Sequence, residues 1–265
     1  MSSSPEQVAS VDPESPDESA DSLIRNAADP FKGDRLRYDY HTADPSEAAG
    51  VIASLIPRGA RVLDVGCGTG SMSRILVDYR GVDLVGVEPD VERAAAAHSR
   101  GIHVLTGTFD STTVATLGTF DVVLFADVLE HLVQPAAPLR LARHVLRPGG
   151  VVIASVPNIA HWSVRLRLLA GRFDYESYGI MDATHLRWFT ADSLRALFDA
   201  CGYCVDTMRH TAGTGLMVYR TATPWRYVPV PSRHWIVRKL ARTAPRLFGC
   251  QHVVRAVPQA EKGIQ

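Results

Sequence analysis

The sequence RVLDVGCGTGSMSRIL, from Arg61 to Leu76, decides the fold of this 265-residue chain. It opens with a short apolar run, continues with three glycines in five residues, and ends in apolar residues at helical spacing. A strand that passes into a helix through glycines allows the backbone to turn sharply and to approach a ligand closely. The glycines follow the spacing GxGxG, whereas the dinucleotide-binding fingerprint GxGxxG places its last glycine one residue later.

The rest of the chain repeats this alternation of apolar runs and helical patterns. A helix is predicted from an N-cap at Asp44 to Pro57. Pro45 would occupy its first turn and Glu47 its capping-box position. The later apolar runs are nearly continuous in hydrophobicity, as expected when helices cover both faces of a parallel sheet. We therefore predict an α/β fold with a doubly wound, mostly parallel seven-stranded sheet and helices on both faces. Its strands are expected at residues 61–65, 82–88, 102–107, 120–126, 150–157, 203–210 and 250–258, and its further helices at 71–79, 90–98, 135–150 and 190–202.

Composition and charge define the domain organisation. The chain is 46% hydrophobic and 21% charged with a net charge of zero, which is typical of a globular protein. Residues 1–30 carry seven acids and one base, a net charge of −6, and we expect this segment to be disordered. Residues 31–265 are expected to form a single domain. The chain shows no secretory signal and no apolar run of membrane-spanning length, which predicts a cytoplasmic protein.

Two acids accompany the glycine loop. Asp64 lies at the end of the first predicted strand, and Glu88 ends the second. A carboxylate in the position of Glu88 can accept hydrogen bonds from both hydroxyls of a ribose. The loop contains neither a Walker lysine nor another cation that would neutralise a phosphate. These residues therefore predict a ligand that contains adenosine, and leave open whether it carries a pyrophosphate.

Five motifs, in order, resemble those of the class I S-adenosylmethionine-dependent methyltransferases. They are VLDVGCGTG (62–70), VGVEP (85–89), GTFD (107–110), FDVVLFADVLEHL (120–132) and VLRPGGVVIASVPN (145–158). The resemblance covers about residues 38–210 and implies that residues 31–265 form a methyltransferase domain that binds S-adenosylmethionine. DVLEH is similar to the subgroup that contains the ubiquinone-biosynthesis O-methyltransferases. The segments 157–175 and 182–190 resemble methyltransferases of bacterial polysaccharide and glycolipid synthesis, which act on sugar hydroxyls.

The resemblance also implies a role for each matching residue. Asp64 would meet the methionine amino group, and Glu88 would hold the ribose. Asp110 would accept the exocyclic amine of the adenine. Tyr38 or Tyr40 would close over the ligand. Of the two, Tyr40 is the candidate contact of the cofactor and Tyr38 the candidate contact of the acceptor. The other implied cofactor contacts are Gly66, Cys67, Gly68 and Gly70 under the methionine, Thr108 and Phe109 beside the adenine, and Ala126 and Asp127 at the methionine end.

Residues 158–189 interrupt the alternation of strands and helices and follow the fifth strand. An insertion at the carboxyl edge of such a sheet lies beside the ligand crevice, so we interpret it as the acceptor-binding region. Its aromatic side chains could stack on the C–H faces of a sugar, and its charged groups could bind hydroxyls. Packing within the insertion would account equally well for the aromatic residues. The candidate acceptor contacts are His161, Trp162, Arg165, Tyr175, Tyr178, Asp182 and Trp188.

The acceptor is expected to be a small molecule. The position after the fourth strand lacks the Pro-Pro-Tyr motif of DNA amino-methyltransferases, and the chain has no broad basic stripe for nucleic acid. We predict O-methylation of a sugar or oligosaccharide in a bacterial polysaccharide pathway. A phenolic or polyketide metabolite is the alternative acceptor, and a non-catalytic cofactor-binding module is the lesser alternative. A homodimer is an open alternative to a monomer.

A hydroxyl must lose its proton during methyl transfer, so the site needs a base or a metal ion. His131 and His185 are the main candidate bases, His161 is a weaker one, and Asp127 is a further catalytic candidate. Mg²⁺ is the alternative, because carboxylate oxygens are the ligands it prefers. Its candidate ligands are Asp127, Glu130 and Asp182.

The carboxyl-terminal region is basic. Residues 220–265 carry nine bases and one acid, a net charge of +8. A helix followed by a strand is predicted over about 231–257, with Trp235, Ile236, Leu240 and Ala244 on its apolar face. Packing of this helix on the core is favoured over peripheral membrane contact.

Overall fold

A computed structural model describes residues 42–260, and these form one seven-stranded sheet in the order β3-β2-β1-β4-β5-β7-β6. The predicted fold class is confirmed. Six strands are parallel, and β7 pairs antiparallel to both β5 and β6. The strands are β1 (Arg61–Val65), β2 (Asp83–Glu88), β3 (His103–Thr106), β4 (Phe120–Ala126), β5 (Leu146–Pro157), β6 (Tyr203–His210) and β7 (Gln251–Pro258).

Helices connect the strands and cover the sheet. They are α1 (Ala48–Leu55), α2 (Ser71–Arg80), α3 (Val91–Ser99), α4 (Ser111–Thr116), α5 (Ala136–Val145), α6 (Trp162–Leu169), α7 (Ala191–Ala200), α8 (Met217–Thr221), α9 (Val230–Thr243) and α10 (Pro245–Phe248). Short 3-10 turns occupy Leu129–His131 and Trp225–Tyr227. None of the helices within residues 42–260 has the length and apolar character needed to cross a bilayer.

The two faces of the sheet bury two hydrophobic clusters, because successive side chains of a strand point to opposite faces. Leu63 packs into the cluster that contains Phe125 and Phe198, and its neighbour Val62 packs into the cluster that contains Ile52. Both faces are therefore largely apolar along the central strands, as the nearly continuous hydrophobic runs predicted.

The chain order creates a crevice beside β1. From β1 the chain builds β2 and β3 on one side and then returns to place β4 on the other. Connections on either side of such a switch point diverge and leave room for a ligand beyond the carboxyl ends of the strands. The glycine loop follows β1, and Asp127 follows β4, so both lie at this edge.

Three local predictions were wrong in detail. Asp44 does not cap a helix; its carboxylate accepts hydrogen bonds from the backbone N–H and hydroxyl of Ser46, and α1 begins four residues later. The carboxylate of Glu47 turns away from its own helix and accepts from the N–H and hydroxyl of Thr214. Residues 146–149, predicted as helix, already belong to β5.

The apolar face predicted for the carboxyl-terminal helix was also wrong. In α9 the buried residues are Arg233, Val237 and Ala241, whereas Trp235 is 63% exposed. The exposed indole packs against the Lys239 ammonium, 5.0 Å from the ring centroid. Val237 and Ala241 pack instead into a cluster with Ala212 and Tyr219.

Candidate active site

The glycine loop between β1 and α2 forms the floor of the crevice. Gly66, Gly68 and Gly70 all have positive φ angles, of 75°, 56° and 74°. A Cβ at Gly70 would lie 2.9 Å from the Cβ of Ala97, so this glycine lets the loop pack on α3. A Cβ at Gly68 would meet no atom within 4 Å. Gly68 therefore faces open space, where a ligand could lie directly on the backbone.

Asp64 is buried beneath this loop with half of its carboxylate unpaired. The Ser73 hydroxyl donates to Asp64 Oδ2 at 2.6 Å, and Oδ1 has no hydrogen-bond partner among the described residues. Burial raises the pKa of Asp64 to about 6, Ser73 lowers it, and the nearby Glu88 carboxylate raises it. A buried acceptor of this kind is completed by a cation, which here would form a charge-assisted hydrogen bond.

Glu88 is buried at the end of β2, on the other side of the loop. Its Oε2 accepts from the Gly68 N–H at 2.8 Å, and its Oε1 accepts from the Asp90 N–H at 3.0 Å. These bonds fix the carboxylate plane, and each oxygen retains a second acceptor position that a ribose hydroxyl could use. Cys67 lies between the two acids with its side chain buried against Gly86.

The loop after β3 provides the predicted adenine contacts. Asp110 caps α4, because its Oδ1 accepts from the N–H groups of Thr112 and Thr113, both at 3.0 Å. The hydroxyl of Thr108 donates to Oδ2, and these hydrogen bonds lower the pKa of Asp110. Phe109 packs edge-on against Phe125 with ring centroids 6.3 Å apart. The adenine-binding roles of these residues stay predictions.

Asp127 follows β4 and is held by two partners that the sequence did not indicate. Its φ angle of 53° is unusual for a residue with a side chain. The Ser155 hydroxyl donates to Oδ1 at 2.9 Å, and Gln251 Nε2 lies 2.8 and 2.9 Å from the two carboxylate oxygens. Burial raises the pKa of Asp127, while Ser155 and Gln251 lower it. Ser155 and Gln251 come from neighbouring strands far along the chain, so only the sheet register reveals them.

Glu130 lies in the 3-10 turn after β4 and is 1% exposed. Neither of its carboxylate oxygens has a hydrogen-bond partner among residues 42–260. Burial raises the pKa of Glu130 well above its usual range, and the carboxylates of Asp127 and Asp182 raise it further. Its carbonyl oxygen accepts from the N–H groups of Leu186 and Arg187 at 2.8 and 2.9 Å, which ties the turn to the insertion.

This backbone link brings the two main candidate bases together. The rings of His131 and His185 have centroids 4.9 Å apart at an interplanar angle of 67°. Each Nδ1 lies 3.2 Å from a backbone carbonyl oxygen, that of Thr184 for His131 and that of Ile180 for His185. A carbonyl can only accept, so each neutral ring carries its proton on Nδ1 and its lone pair on Nε2.

Two of the candidate magnesium ligands have hydrogen-bond partners within the protein. Asp182 Oδ1 accepts from the Thr184 N–H at 2.8 Å and from its hydroxyl at 2.6 Å, and Asp127 is occupied by Ser155 and Gln251. Ligand atoms of Glu130, His131 and His185 instead lie within 4.8 Å of one another.

His161 and Trp162 belong to a separate aromatic cluster. His161 is fully buried, caps α6 through the Ser163 N–H, and lies 3.2 Å from the Tyr219 hydroxyl. Burial lowers the pKa of His161 to about 4. The indole N–H of Trp162 donates to the same hydroxyl at 2.9 Å. These contacts make both residues structural supports of the insertion.

Of the remaining candidates of the insertion, Tyr175 and Tyr178 are exposed, whereas Trp188 is half-buried. Trp188 packs with Tyr175 and with Phe173, a residue that the sequence did not single out. The indole nitrogen of Trp188 is buried and has no hydrogen-bond partner among the described residues. Tyr178 is 47% exposed, and Arg165 folds back onto the Ala160 carbonyl. Tyr38, Tyr40 and the acidic segment 1–30 lie outside the described residues.

The site therefore combines a glycine cradle, two buried acids and a pair of imidazoles at one edge of the sheet. Residues 37–207 match a protein-family model described as a methyltransferase domain. The chain belongs to this methyltransferase family. The prediction of a class I S-adenosylmethionine-dependent methyltransferase is thereby confirmed.

The methyltransferase is similar to curated proteins named ubiquinone biosynthesis O-methyltransferase. It is 35% identical to that of Xanthomonas axonopodis pv. citri over 126 residues, which cover 44% of this chain and 52% of the relative. It is 32% identical to that of Azorhizobium caulinodans over 154 residues, covering 55% of this chain and 59% of the relative. The chain thus spans about half the length of the curated relatives it matches.

Solved structures support the fold alone. An S-adenosylmethionine-dependent methyltransferase from Thermotoga maritima matches with a TM-score of 0.52 and 18% identity, covering 80% of this chain and 88% of that chain. One from Archaeoglobus fulgidus matches with a TM-score of 0.54 and 18% identity, covering 89% of this chain and 98% of that chain.

The residues of the glycine loop and the two buried acids fit S-adenosylmethionine. The unpaired Oδ1 of Asp64 is a buried acceptor for the methionine ammonium, and the open space over Gly68 leaves room for the ligand beside Glu88. When bound, S-adenosylmethionine supplies a methyl group that its positively charged sulfur has already activated. The protein's contribution is to align an acceptor and to manage its proton.

Proposed function

We propose that the protein transfers the methyl group of S-adenosylmethionine to a hydroxyl of a small molecule. The pair of imidazoles beyond β4 carries this proposal. The turn that carries His131 lies next to the glycine loop. A Cβ at Gly66 would contact Val128, and Val128 is adjacent to Asp127 and two residues from Glu130. An oxygen acceptor needs proton removal during transfer, and neutral imidazole is the side chain best matched to that task near pH 7. The relatives' name, O-methyltransferase, supports oxygen as the acceptor atom.

His131 and His185 have complementary positions in this proposal. His185 is 5% exposed, whereas His131 is half-buried in the turn after β4. His131 is therefore placed to meet the acceptor hydroxyl, and His185 to hold its ring. Asp127 acts at a distance by fixing the turn from which Glu130 and His131 project.

Two acceptor classes are compatible with the insertion. A sugar hydroxyl is favoured by the exposed Tyr175 and Tyr178, whose faces could stack on sugar C–H groups beside charged side chains. A phenolic hydroxyl is favoured by its acidity, since a phenol with a pKa of about 10 is far easier for imidazole to deprotonate than an alcohol. A small-molecule acceptor, a cytoplasmic location and a homodimer remain predictions.

A methyl-transfer assay with labelled S-adenosylmethionine against matched panels of saccharides, phenols and amines tests the proposal. We expect label on oxygen of a saccharide or a phenol. His131→Ala should lower turnover by about 10²- to 10⁴-fold, because a positioned proton acceptor contributes that much. His185→Ala should lower turnover by less, because His185 only supports the His131 ring, and calorimetry should show unchanged cofactor affinity for both. His144→Ala, an exposed histidine of α5, is the matched control and should behave as the wild type. Methylation of amines alone, or full turnover in both active-site variants, would contradict the proposal.

A further inference from the structure

Arg233 lies on the buried face of α9 without a counter-charge. It is 9% exposed, and its Nε has no hydrogen-bond partner among residues 42–260. No acid of that range forms an ion pair with its guanidinium. A guanidinium stays protonated in a folded protein, so burying one without an anion is costly. The side chain therefore indicates an anionic ligand.

The chain around Arg233 supplies positive charge and no acid. Residues 220–250 contain seven lysines and arginines but neither an aspartate nor a glutamate. Arg238, one turn further along α9, pairs with Asp44 from the segment before α1. Arg233 has no such partner among the described residues, although it is the more deeply buried of the two. An anion that approaches this part of α9 is therefore attracted and meets no competing carboxylate of the same segment.

The first turn of α9 offers further hydrogen-bond donors. This helix has 14 residues, and no side chain caps its N-terminus. The backbone N–H groups of Val230 and Ser232 have no partner within residues 42–260. Such free N–H groups and the helix dipole favour an anion at this end of a helix. Helical side chains incline toward the N-terminus, so the side chain of Arg233 is directed toward the same turn.

The buried face of α9 packs toward the acceptor-binding insertion. Val237 follows Arg233 by one turn on this face and packs with Tyr219. The Tyr219 hydroxyl accepts from the indole N–H of Trp162 at 2.9 Å and lies 3.2 Å from Nε2 of His161. These two residues start α6, the helix of the insertion that follows β5. Arg233 therefore belongs to the wall that supports the insertion.

We propose that Arg233 and the first turn of α9 bind a phosphate group. A planar guanidinium binds two phosphate oxygens side by side, and the anion supplies the missing counter-charge. A phosphate keeps a further oxygen for the N–H groups of the helix terminus, whereas a carboxylate has only the two oxygens that the guanidinium binds. Phosphate therefore uses all the donors of this site, which favours it over a carboxylate.

The phosphate belongs to the methyl acceptor in this proposal. That assignment rests on the proposed O-methylation, whereas phosphate binding by Arg233 does not. A phosphate held at α9 would anchor the acceptor away from its reacting hydroxyl. Such a contact is the same in the bound substrate and in the transition state, so it lowers KM and leaves kcat unchanged. Arg233 would thus determine which acceptors bind without taking part in the methyl transfer itself.

Calorimetric titration of the full chain with inorganic phosphate, in chloride of constant ionic strength, tests the site. We expect saturable binding and an unfolding temperature that rises with phosphate concentration. Arg233→Met should weaken binding by at least about tenfold, because the charge-assisted hydrogen bonds are lost. Arg242→Met, at an exposed arginine of the same helix, is the matched control and should bind as the wild type.

Two further measurements separate binding from a structural role of Arg233. Without phosphate, Arg233→Met should be no less stable than the wild type, because it removes a buried charge that has no partner. Arg233→Lys keeps the charge but loses the two-point contact, so it should also bind phosphate more weakly. Far-UV circular dichroism shows whether each variant is folded, and the lysine variant tests the site if the methionine variant does not fold.

Two results would overturn the site: no saturable phosphate binding, or unchanged binding by the folded Arg233 variants. Methyl transfer to paired acceptors, a saccharide or phenol and its phosphate ester, tests the source of the phosphate. A KM at least about tenfold lower for the ester, lost in Arg233→Met with kcat unchanged, supports a phosphorylated acceptor. Equal KM values with saturable phosphate binding would overturn that assignment and leave a site for free phosphate. Methylation of amines alone, with phosphate binding that depends on Arg233, removes the proposed function and leaves the site.

Discussion

The two halves of the crevice are built in different ways. The cofactor half is almost continuous in sequence, since Asp64 and the glycine loop occupy seven residues and Glu88 ends the adjacent strand. The acceptor half draws its side chains from the turn after β4, the insertion and β7, which are up to 124 residues apart. The first half is mainly backbone and local hydrogen bonds, and the second consists of side chains held by long-range packing.

Both halves nevertheless contain a buried carboxylate that lacks partners. Among residues 42–260, Asp64 has one oxygen hydrogen-bonded to Ser73 and one without a partner, whereas neither oxygen of Glu130 has a partner. The one unpaired oxygen of Asp64 suits a single ammonium N–H.

Among the effects on binding and stability, the largest is expected in the cofactor half. Asp64→Asn should weaken S-adenosylmethionine binding by about 2 kcal/mol or more, about thirtyfold, because the ammonium loses its buried counter-charge. Wild-type affinity should fall as the pH drops through about 6, where the carboxylate becomes protonated. The variant should lack this pH dependence. Calorimetry between pH 5 and pH 8 measures both.

The stability of the unliganded protein provides the control for Asp64→Asn. Because folding raises the pKa of Asp64 from 3.8 to about 6, the carboxyl stabilises the fold below pH 3.8, and this contribution is lost as the pH rises through 6. The neutral amide should therefore unfold at pH 8 with a free energy no lower than that of the wild type. Weaker cofactor binding together with a marked loss of stability would indicate a structural role instead.

A smaller effect is expected at the floor of the cradle. Gly68→Ala should lower cofactor affinity by about tenfold, because the added methyl would occupy the space above the loop. Gly81→Ala is the matched control, since Gly81 has a similar φ angle of 63° and an equally open Cβ position after α2. Both should lose about 1 kcal/mol of stability from backbone strain. Equal cofactor binding by the two variants would mean that the ligand does not lie over Gly68.

The smallest effect is expected on the acceptor half. Gln251→Ala should lower the free energy of unfolding by about 1 kcal/mol, because the half-buried Asp127 loses a donor. Turnover should fall while cofactor affinity stays unchanged. Gln259→Ala, which removes a comparable bond to the exposed Asp199, should change neither quantity. A loss of cofactor affinity in Gln251→Ala would show that the two halves are not independent.

The sequence predicted local features correctly, whereas it did not predict contacts between residues that are far apart in the chain. Strands β1, β4 and β6 begin and end where the apolar runs predicted, and Asp64 and Glu88 lie at the expected strand ends. The capping residue of α1 and the buried face of α9 were wrong, because Asp44 and Trp235 have contacts that local patterns do not encode. The histidines beyond β4 were found as candidates, but their relation to Glu130 was not.

The order of apolar runs and glycines by itself determined the doubly wound sheet and the position of the cofactor cradle. Strand period, turn geometry and the acids at the ends of the first two strands are all properties of residues that are neighbours in the chain. Only the tertiary structure decided which side chains meet beyond β4. His185 reaches His131, and Gln251 reaches Asp127, through backbone hydrogen bonds and strand pairing across more than fifty residues. Side chains so far apart in the chain meet because of how the whole sheet and its insertion pack.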